Sequence, residues 1–302
     1  MVAVLDLPVL DLADRTRDPR GFDAALCSVL ERWGFVALRG HGLDPALLAE
    51  AYRTAAVLFT RPGAWKRAHE DAGGGRQRGY TGFGVEHARD AGVHDLKEFW
   101  QIGRGEPDAA PGLPPNVWPD DLPGFRDTFE SLFAGFDRLA ETMLRAVAGG
   151  TGLDPDALVA GTRGGNSVLR VLHYPPIRAT DPPDAVRAAA HEDVDLLTLL
   201  PASTHPGLEL LDRDGTWRPL VTPQDVVIGD TGDMLARLTG GRIPSTTHRV
   251  VTPPGLGSES RFSMPFFHHP RPEFVLGIEE GRPLTADAFL RRRLVEIGVL
   301  RA

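Results

Sequence analysis

From Asn166 onward the chain is cut into apolar runs too short for stable helices and separated by Pro, Gly and Asp. They cover residues 167–174, 196–200, 208–211, 226–228, 247–252 and 261–267. Short runs punctuated in this way read as strands, and many in succession predict a sandwich or barrel. What precedes them is different. Residues 21–33 place Phe22, Leu26, Val29 and Leu30 at helical spacing, and 45–59 do the same with Leu48, Ala51, Ala55 and Leu58 behind Asp44, a good capping residue. The strongest helical pattern is 123–148, where Phe125, Phe129, Leu132, Phe133, Phe136, Leu139 and Met143 recur every three or four residues. That stripe reads as core packing, and Gly149-Gly150 is expected to end the helix. Residues 1–11 read as an extended opening strand, 34–38 as a short apolar strand, and 285–298 as a closing helix capped by Thr285.

The expected fold class is therefore mainly β with flanking helices. Residues 1–120 form an N-terminal helical and mixed region, and 121–302 a long helix followed by the β-core, together one compact unit. A chain of this length can bury roughly 75% of its unfolded surface without staples. Residues 70–120 lack clean periodicity, with a flexible point at Gly73-Gly74-Gly75 and a turn-rich connection over 111–119. Such a segment in a compact protein reads as a lid or pocket wall.

A net charge of −8 argues against a general binder of nucleic acid or acidic membranes. Arg291-Arg292-Arg293 lies on the closing helix and reads as a solvated face. Cys27 is the only cysteine, so no internal disulfide forms and a cytoplasmic location is expected. Its apolar neighbours predict an inert buried thiol. The N-terminus lacks the basic region of a signal peptide, and no apolar run approaches a membrane span.

The chemistry concentrates in His191-Glu192-Asp193 and in His248, 55 residues later on another apolar run. If His191-Glu192-Asp193 opens a strand, residues two apart share a face, so His191 and Asp193 converge while Glu192 turns away. Two imidazoles and one carboxylate on one face of an octahedron leave positions open for O₂ and an organic ligand, the facial arrangement of non-haem Fe(II) oxygenases. By the same period, Arg261 and Ser263 share a face. A guanidinium beside a hydroxyl makes a carboxylate clamp, and the Tyr174 phenol can add a hydrogen bond.

With these residues in hand, the sequence resembles the isopenicillin N synthase-like family of Fe(II)/2-oxoglutarate dioxygenases. The likeness runs almost end to end. It takes in the stretch from Trp33 to Leu43, Arg78-Gly79-Tyr80, Asp95 to Phe99, Asn116-Val117-Trp118-Pro119 and Leu172-His173-Tyr174-Pro175-Pro176. The stretches around His191 and His248 and the R-x-S motif complete it. The resemblance implies a distorted double-stranded β-helix (jelly roll) core. It implies His191, Asp193 and His248 as iron ligands, and Arg261, Ser263 and Tyr174 as the site for the distal carboxylate of 2-oxoglutarate. Fe(II), 2-oxoglutarate and O₂ would then drive hydroxylation, desaturation, cyclisation or epoxidation of a small molecule. Leu172 departs from the family's Asn, and residues 252–260 suggest a longer hairpin turn.

Arg170 shares a strand face with Tyr174 inside an apolar run, and a buried arginine needs a partner. It meets either a substrate carboxylate or an internal acid. Phe99 and Phe266 are candidate pocket aromatics. His268 and His269 face opposite ways, so at most one points inward, and they read as pocket-lining or structural; His173 reads as structural, His41 as a turn residue, and His69, His87, His94 and His205 receive no role. The Ala-, Arg-, Gly- and Asp-rich usage suggests a bacterial gene, and with it natural-product metabolism or amino-acid oxidation. One alternative is a family member that oxidises its substrate without 2-oxoglutarate, since isopenicillin N synthase and aminocyclopropanecarboxylate oxidase keep R-x-S. A zinc hydrolase lacks a general base at motif spacing, and a non-catalytic binding module would not need the intact ligands and clamp.

Overall fold

The structure, a computed structural model, describes residues 4–71, 76–85, 95–105, 112–178, 181 and 186–296. The glycines at 73–75, Pro111, His87 and His94, and the last residues of the expected closing helix, lie outside these. The first half of the chain supplies β1 (Val9–Asp11), α1 (Leu12–Arg17), α2 (Pro19–Trp33), β2 (Phe35–Arg39), α3 (Pro45–Thr60), α4 (Gly63–Arg67), β3 (Gly79–Thr81), β4 (Glu98–Gly103) and the long α5 (Phe125–Thr151). After α6 (Pro155–Thr162) come β5 (Val168–Tyr174), β6 (Ala188–His191), β7 (Leu197–Pro201), β8 (Leu208–Leu211), β9 (Trp217–Pro219) and β10 (Val227–Thr231). Then follow α7 (Asp233–Leu238), β11 (His248–Val250), β12 (Arg261–Ser263), β13 (Phe266–His268), β14 (Val275–Glu279), β15 (Arg282–Thr285) and α8 (Ala286–Glu296).

Two sheets face each other. The large one runs β1-β2-β10-β7-β13-β5-β4-β3 with β12 also paired to β5, and the small one runs β6-β11-β8-β9. Only β1–β2 is parallel in these sheets. Parity along the strands sorts the large sheet cleanly. Leu169, Val171, Leu197, Leu199 and Phe266 join the main core with the aromatic stripe of α5, while Arg170, Leu172, Thr198, Leu200 and Phe267 line a pocket. The helices thus cover one face, and the small sheet closes the other over the pocket. This is the jelly-roll arrangement expected.

Local chemistry explains most helix ends. Asp18 and Asp44 accept from the amides of Gly21 (3.0 Å) and Ala46 (2.8 Å), with Pro19 and Pro45 just inside. Four expectations need correction. First, α5 does not stop at Gly149-Gly150 but runs to Thr151 and ends on left-handed Gly152. The two glycines serve close packing instead: a Cβ at Gly149 would lie 2.2 Å from Asp23 Oδ2, and one at Gly150 2.4 Å from Cys27 Sγ, both on α2. Second, the 261–267 run breaks into β12 and β13 around Pro265, which has no N–H to donate. Third, residues 252–260 are not a hairpin, because β11 and β12 belong to different sheets. Fourth, the opening strand shrinks to β1 and a bridge between Leu5 and Leu220.

Cys27 is buried, with its thiol pushed up to about 11 by burial, in keeping with an inert role. Arg291 and Arg292 pair with Asp287 and Glu279 at the surface, whereas Arg293 is pinned 2.9 Å from Asp233 and is only partly solvated. Among the described residues no helix is long and apolar enough to cross a membrane.

Candidate active site

Strand β6 ends on His191, which pairs with His248 of β11, so the two imidazoles stand side by side with ring centroids 4.4 Å apart. His191 therefore closes a strand rather than opening one, and Asp193 sits on the segment that crosses to the large sheet. That crossing is fixed by backbone bonds: the amides of Asp233 and Met234 donate to the carbonyls of Asp193 (2.8 Å) and Asp195 (3.0 Å). A Cβ on Gly232 would lie 2.2 Å from Asp195 Oδ1, so the corner closes only around glycine. Asp193 Oδ1 comes within 3.7 Å of His191 Nε2 and 3.9 Å of His248 Nε2. One ligand atom from each residue lies within 4.8 Å of the others.

Each imidazole is oriented from behind. His191 Nδ1 lies 2.8 Å from Ala189 O and His248 Nδ1 3.2 Å from Thr246 O. A carbonyl only accepts, so the proton belongs on Nδ1 and the Nε2 lone pair is turned to the shared centre. Burial, reinforced by His248, pushes His191 down to about 4, which keeps it neutral and able to ligate near neutral pH. Glu192 turns away and accepts from Thr247 Oγ1 at 3.0 Å.

Asp193 is held through its other oxygen. Thr198 donates a short hydrogen bond to Asp193 Oδ2, and its hydroxyl also lies 3.0 Å from Asp195 Oδ2. One hydroxyl has one proton to give. Burial, followed by the charge of Asp193, pushes Asp195 well above the usual carboxylate range. A protonated Asp195 can donate to Thr198 while Thr198 donates to Asp193, a chain that leaves Oδ1 for the centre. Asp230, 3.6 Å from His248 Nδ1, is raised by burial and by the same two carboxylates.

Arg261 and Ser263 share the pocket face of β12, with Arg261 in register with Tyr174 and Ser263 with Leu172. Arg261 Nε donates to His205 O and Nη2 to Ser203 Oγ, each at 2.9 Å. The guanidinium carbon stands 5.1 Å from the centre of the Tyr174 ring. Its Nη1 is buried without a hydrogen-bond partner among the described residues. A buried donor left unpaired is costly, and a carboxylate is the partner that fits a fixed guanidinium beside a hydroxyl. The triad, this clamp and Arg170 line one pocket.

Arg170 lies between the rings of Phe99 (4.2 Å) and Phe267 (5.2 Å), and its Nε and Nη2 donate to Gln101 Oε1 at 3.2 and 2.9 Å. Phe99 is thus a support beneath Arg170. Phe266 does not reach the pocket: its ring packs on Phe133 and Phe136 of α5 at 5.0 and 5.5 Å. The pocket wall is Phe267, as the period from Arg261 through Ser263 and Pro265 requires. His268 turns with Phe266 toward the core, where it contacts Ser167 Oγ at 3.2 Å. His173 bridges Glu98 (2.8 Å) and Ser260 (3.1 Å), a structural position as expected.

Comparison with known proteins agrees with this geometry. Residues 7–121 match the family described as non-haem dioxygenase in morphine synthesis N-terminal, and 165–270 match the 2OG-Fe(II) oxygenase superfamily. The 2-oxoglutarate-dependent dioxygenase frbA of Dothideomycetidae sp. is 32% identical, over 84% of this chain and 83% of its own. The chain belongs to the 2-oxoglutarate/Fe(II)-dependent oxygenase family. The crystal structure of a 2OG-Fe(II) oxygenase family protein from Caulobacter crescentus superposes with a TM-score of 0.84 at 36% identity, covering 98% of this chain and 100% of that one. A full-length Neurospora crassa protein in complex with alpha-KG and thymine gives 0.85 at 26% identity, covering 98% and 99%.

The chain is accordingly a non-haem Fe(II)/2-oxoglutarate-dependent dioxygenase that uses O₂ on a small-molecule substrate. When bound, iron and cosubstrate supply the oxidising power, with 2-oxoglutarate converted to succinate and CO₂. The residues of this oxygenase that the sequence reading passed over are instructive. Thr198 is the one polar residue in the run 196–200, and a polar residue inside a core strand was the available signal. Lys97, which also lines the pocket, had no such signal, because it stands among other charged residues.

Proposed function

We propose that His191, Asp193 and His248 hold Fe(II), that Arg261, Ser263 and Tyr174 hold the distal carboxylate of 2-oxoglutarate, and that the substrate presents a carboxylate to Arg170. Regions 1–120 and 121–302 act as one catalytic unit in this reading. The observation that carries it is a second cationic wall in the pocket, separate from Arg261. Arg170 is fixed between two aromatic rings and Gln101, and Lys97 lines the same pocket with its Nζ 2.9 Å from Asp95 Oδ2. A guanidinium oriented by stacking is preorganised for a planar anion. The protein then chooses the reacting C–H bond by holding the substrate's acid at Arg170.

The test pairs carboxylic acids, amino acids included, with their neutral amides in an iron-loaded assay for succinate formation and oxygen uptake. Acids should stimulate turnover and amides should not. Arg170→Gln should raise KM for the acid while leaving the slow, substrate-free turnover of 2-oxoglutarate in place. Equal stimulation by acids and amides would remove Arg170 from substrate recognition. Substrate-dependent oxygen uptake without any keto acid would instead reassign the clamp to the substrate.

A further inference from the structure

Arg187, just ahead of β6, is a large cation next in the chain to Ala188, which lines the pocket, though Arg187 itself does not. It is fully buried, yet one nitrogen alone is satisfied: Nη2 donates to Glu259 O at 2.7 Å, while Nε and Nη1 have no partner among the described residues. Glu259 is two residues before Arg261 in the chain, so this bond ties Arg187 to the segment that enters β12. Arg261 is in the same condition, buried with Nη1 unpaired. Burial weakens the hold of both guanidinium groups on their protons. On Arg187 the charge of Arg261 adds to that effect, and the Tyr174 hydroxyl opposes it. No described carboxylate is within ion-pair distance of either. Burying one guanidinium without an anion is expensive, and placing a second beside it adds repulsion. Such a corner is balanced by a ligand that brings negative charge.

We propose that Arg187 is a second charge-recognition residue for the cosubstrate, set behind the Arg261–Tyr174 pair, and that it makes this end of the pocket select a dianionic 2-oxo acid over a monoanionic one. This rests on the 2-oxoglutarate reading of the clamp. The Glu259 carbonyl fixes one side of the guanidinium, and its charge, felt at Arg261, favours the carboxylate that Arg261 and Ser263 hold.

The test is equilibrium binding by calorimetry to the Mn(II)-loaded protein without oxygen. It compares 2-oxoglutarate with 2-oxopentanoate, which carries a methyl group in place of the distal carboxylate. Arg187→Met removes the charge but keeps much of the volume, and should weaken 2-oxoglutarate about tenfold or more while leaving 2-oxopentanoate almost unchanged. Arg187→Gln makes the same measurement should the Met variant not fold. Arg187→Lys keeps the charge and should retain most of the preference for the diacid. Equal weakening of both ligands, no change in either, or a loss in the Lys variant as large as in the Met variant would each overturn the assignment. A wild-type protein that does not bind 2-oxoglutarate would overturn the clamp reading and Arg187 with it, whereas wild-type binding with an unaffected Met variant overturns Arg187 alone.

Discussion

The two faces of the large sheet are made by the same strands and do opposite work. On β5, β7 and β13 the helix-facing side chains are Leu169, Val171, Leu197, Leu199 and Phe266, packed against α5. One residue away, the pocket-facing set is Arg170, Leu172, Tyr174, Thr198 and Phe267. The helix face is built mainly of packed apolar side chains, whereas the pocket face presents functional atoms. Arg261 Nη1 is unpaired, and the two Nε2 atoms of the triad are left over once Nδ1 meets a carbonyl. A sheet can thus carry stability on one parity and chemistry on the other, and substitutions one residue apart should separate the two.

The largest separation is expected at His191. His191→Ala should bring 2-oxoglutarate-dependent succinate formation down to the protein-free level while the metal-free melting midpoint stays near wild type, because the side chain is 39% exposed and carries little core packing. Measurable turnover in that variant would mean the triad is not the metal site. Next comes the pair Phe266→Ala and Phe267→Ala. Removing the buried Phe266 ring should cost about 3–5 kcal/mol of stability, read from urea unfolding. The half-buried Phe267 should cost less than half of that and should act mainly on substrate KM. Equal costs would break the parity argument.

Thr198 tests whether the pocket face depends on what stands behind the ligands. Thr198→Val removes the donor to Asp193 and leaves Asp195 beside an apolar group. Affinity for Fe(II) should fall about 10–100-fold, measured by anaerobic metal titration, with little change in the fold of the metal-free protein. Unchanged affinity would mean that Asp193 is held by the backbone of the crossing segment alone.

How far these faces could be read from the sequence depended on what sets them. Helix spacing located the α5 stripe, and the order of helices then strands followed from periodicity, because both are local. Period-two reasoning brings Arg261 and Ser263 together, and the same count carried on through Pro265 points to Phe267 rather than Phe266 as the pocket aromatic. The pairing of His191 with His248 rests on two strands distant in the chain, and spacing alone could not choose between a strand and a crossing segment for Asp193. Gly149 and Gly150 look like a helix stop because glycine usually is one, but here a neighbouring helix needed the room. Arg187 was out of reach in the same way. Nothing in a sequence reports that two of its nitrogens stay unpaired.

The smallest expected effect is on the helix face and concerns protons. His268 is fully buried, and burial pushes it down to about 4, with Asp137 3.6 Å away opposing the shift only in part. Its pKa in the unfolded chain is near 6.5. Between these values the unfolded state binds a proton that the folded state refuses. Stability therefore rises with pH across this window and is lost as pH falls from about 6.5 toward 4, by up to about 1.4 kcal/mol per pH unit for this one group. His269, also pushed down to about 4, acts in the same direction. The buried acids Asp195 and Asp230, raised in the folded state, act in the other, so the wild-type slope alone does not isolate His268. The difference between wild type and His268→Phe does. In urea unfolding of the metal-free protein from pH 7 to 5, the Phe variant should lose less stability than wild type, with the gap opening only below about pH 6.5. Parallel curves would mean that His268 takes its proton inside the fold, and that Asp137 serves it as a full counter-charge despite its own pairing with Arg104.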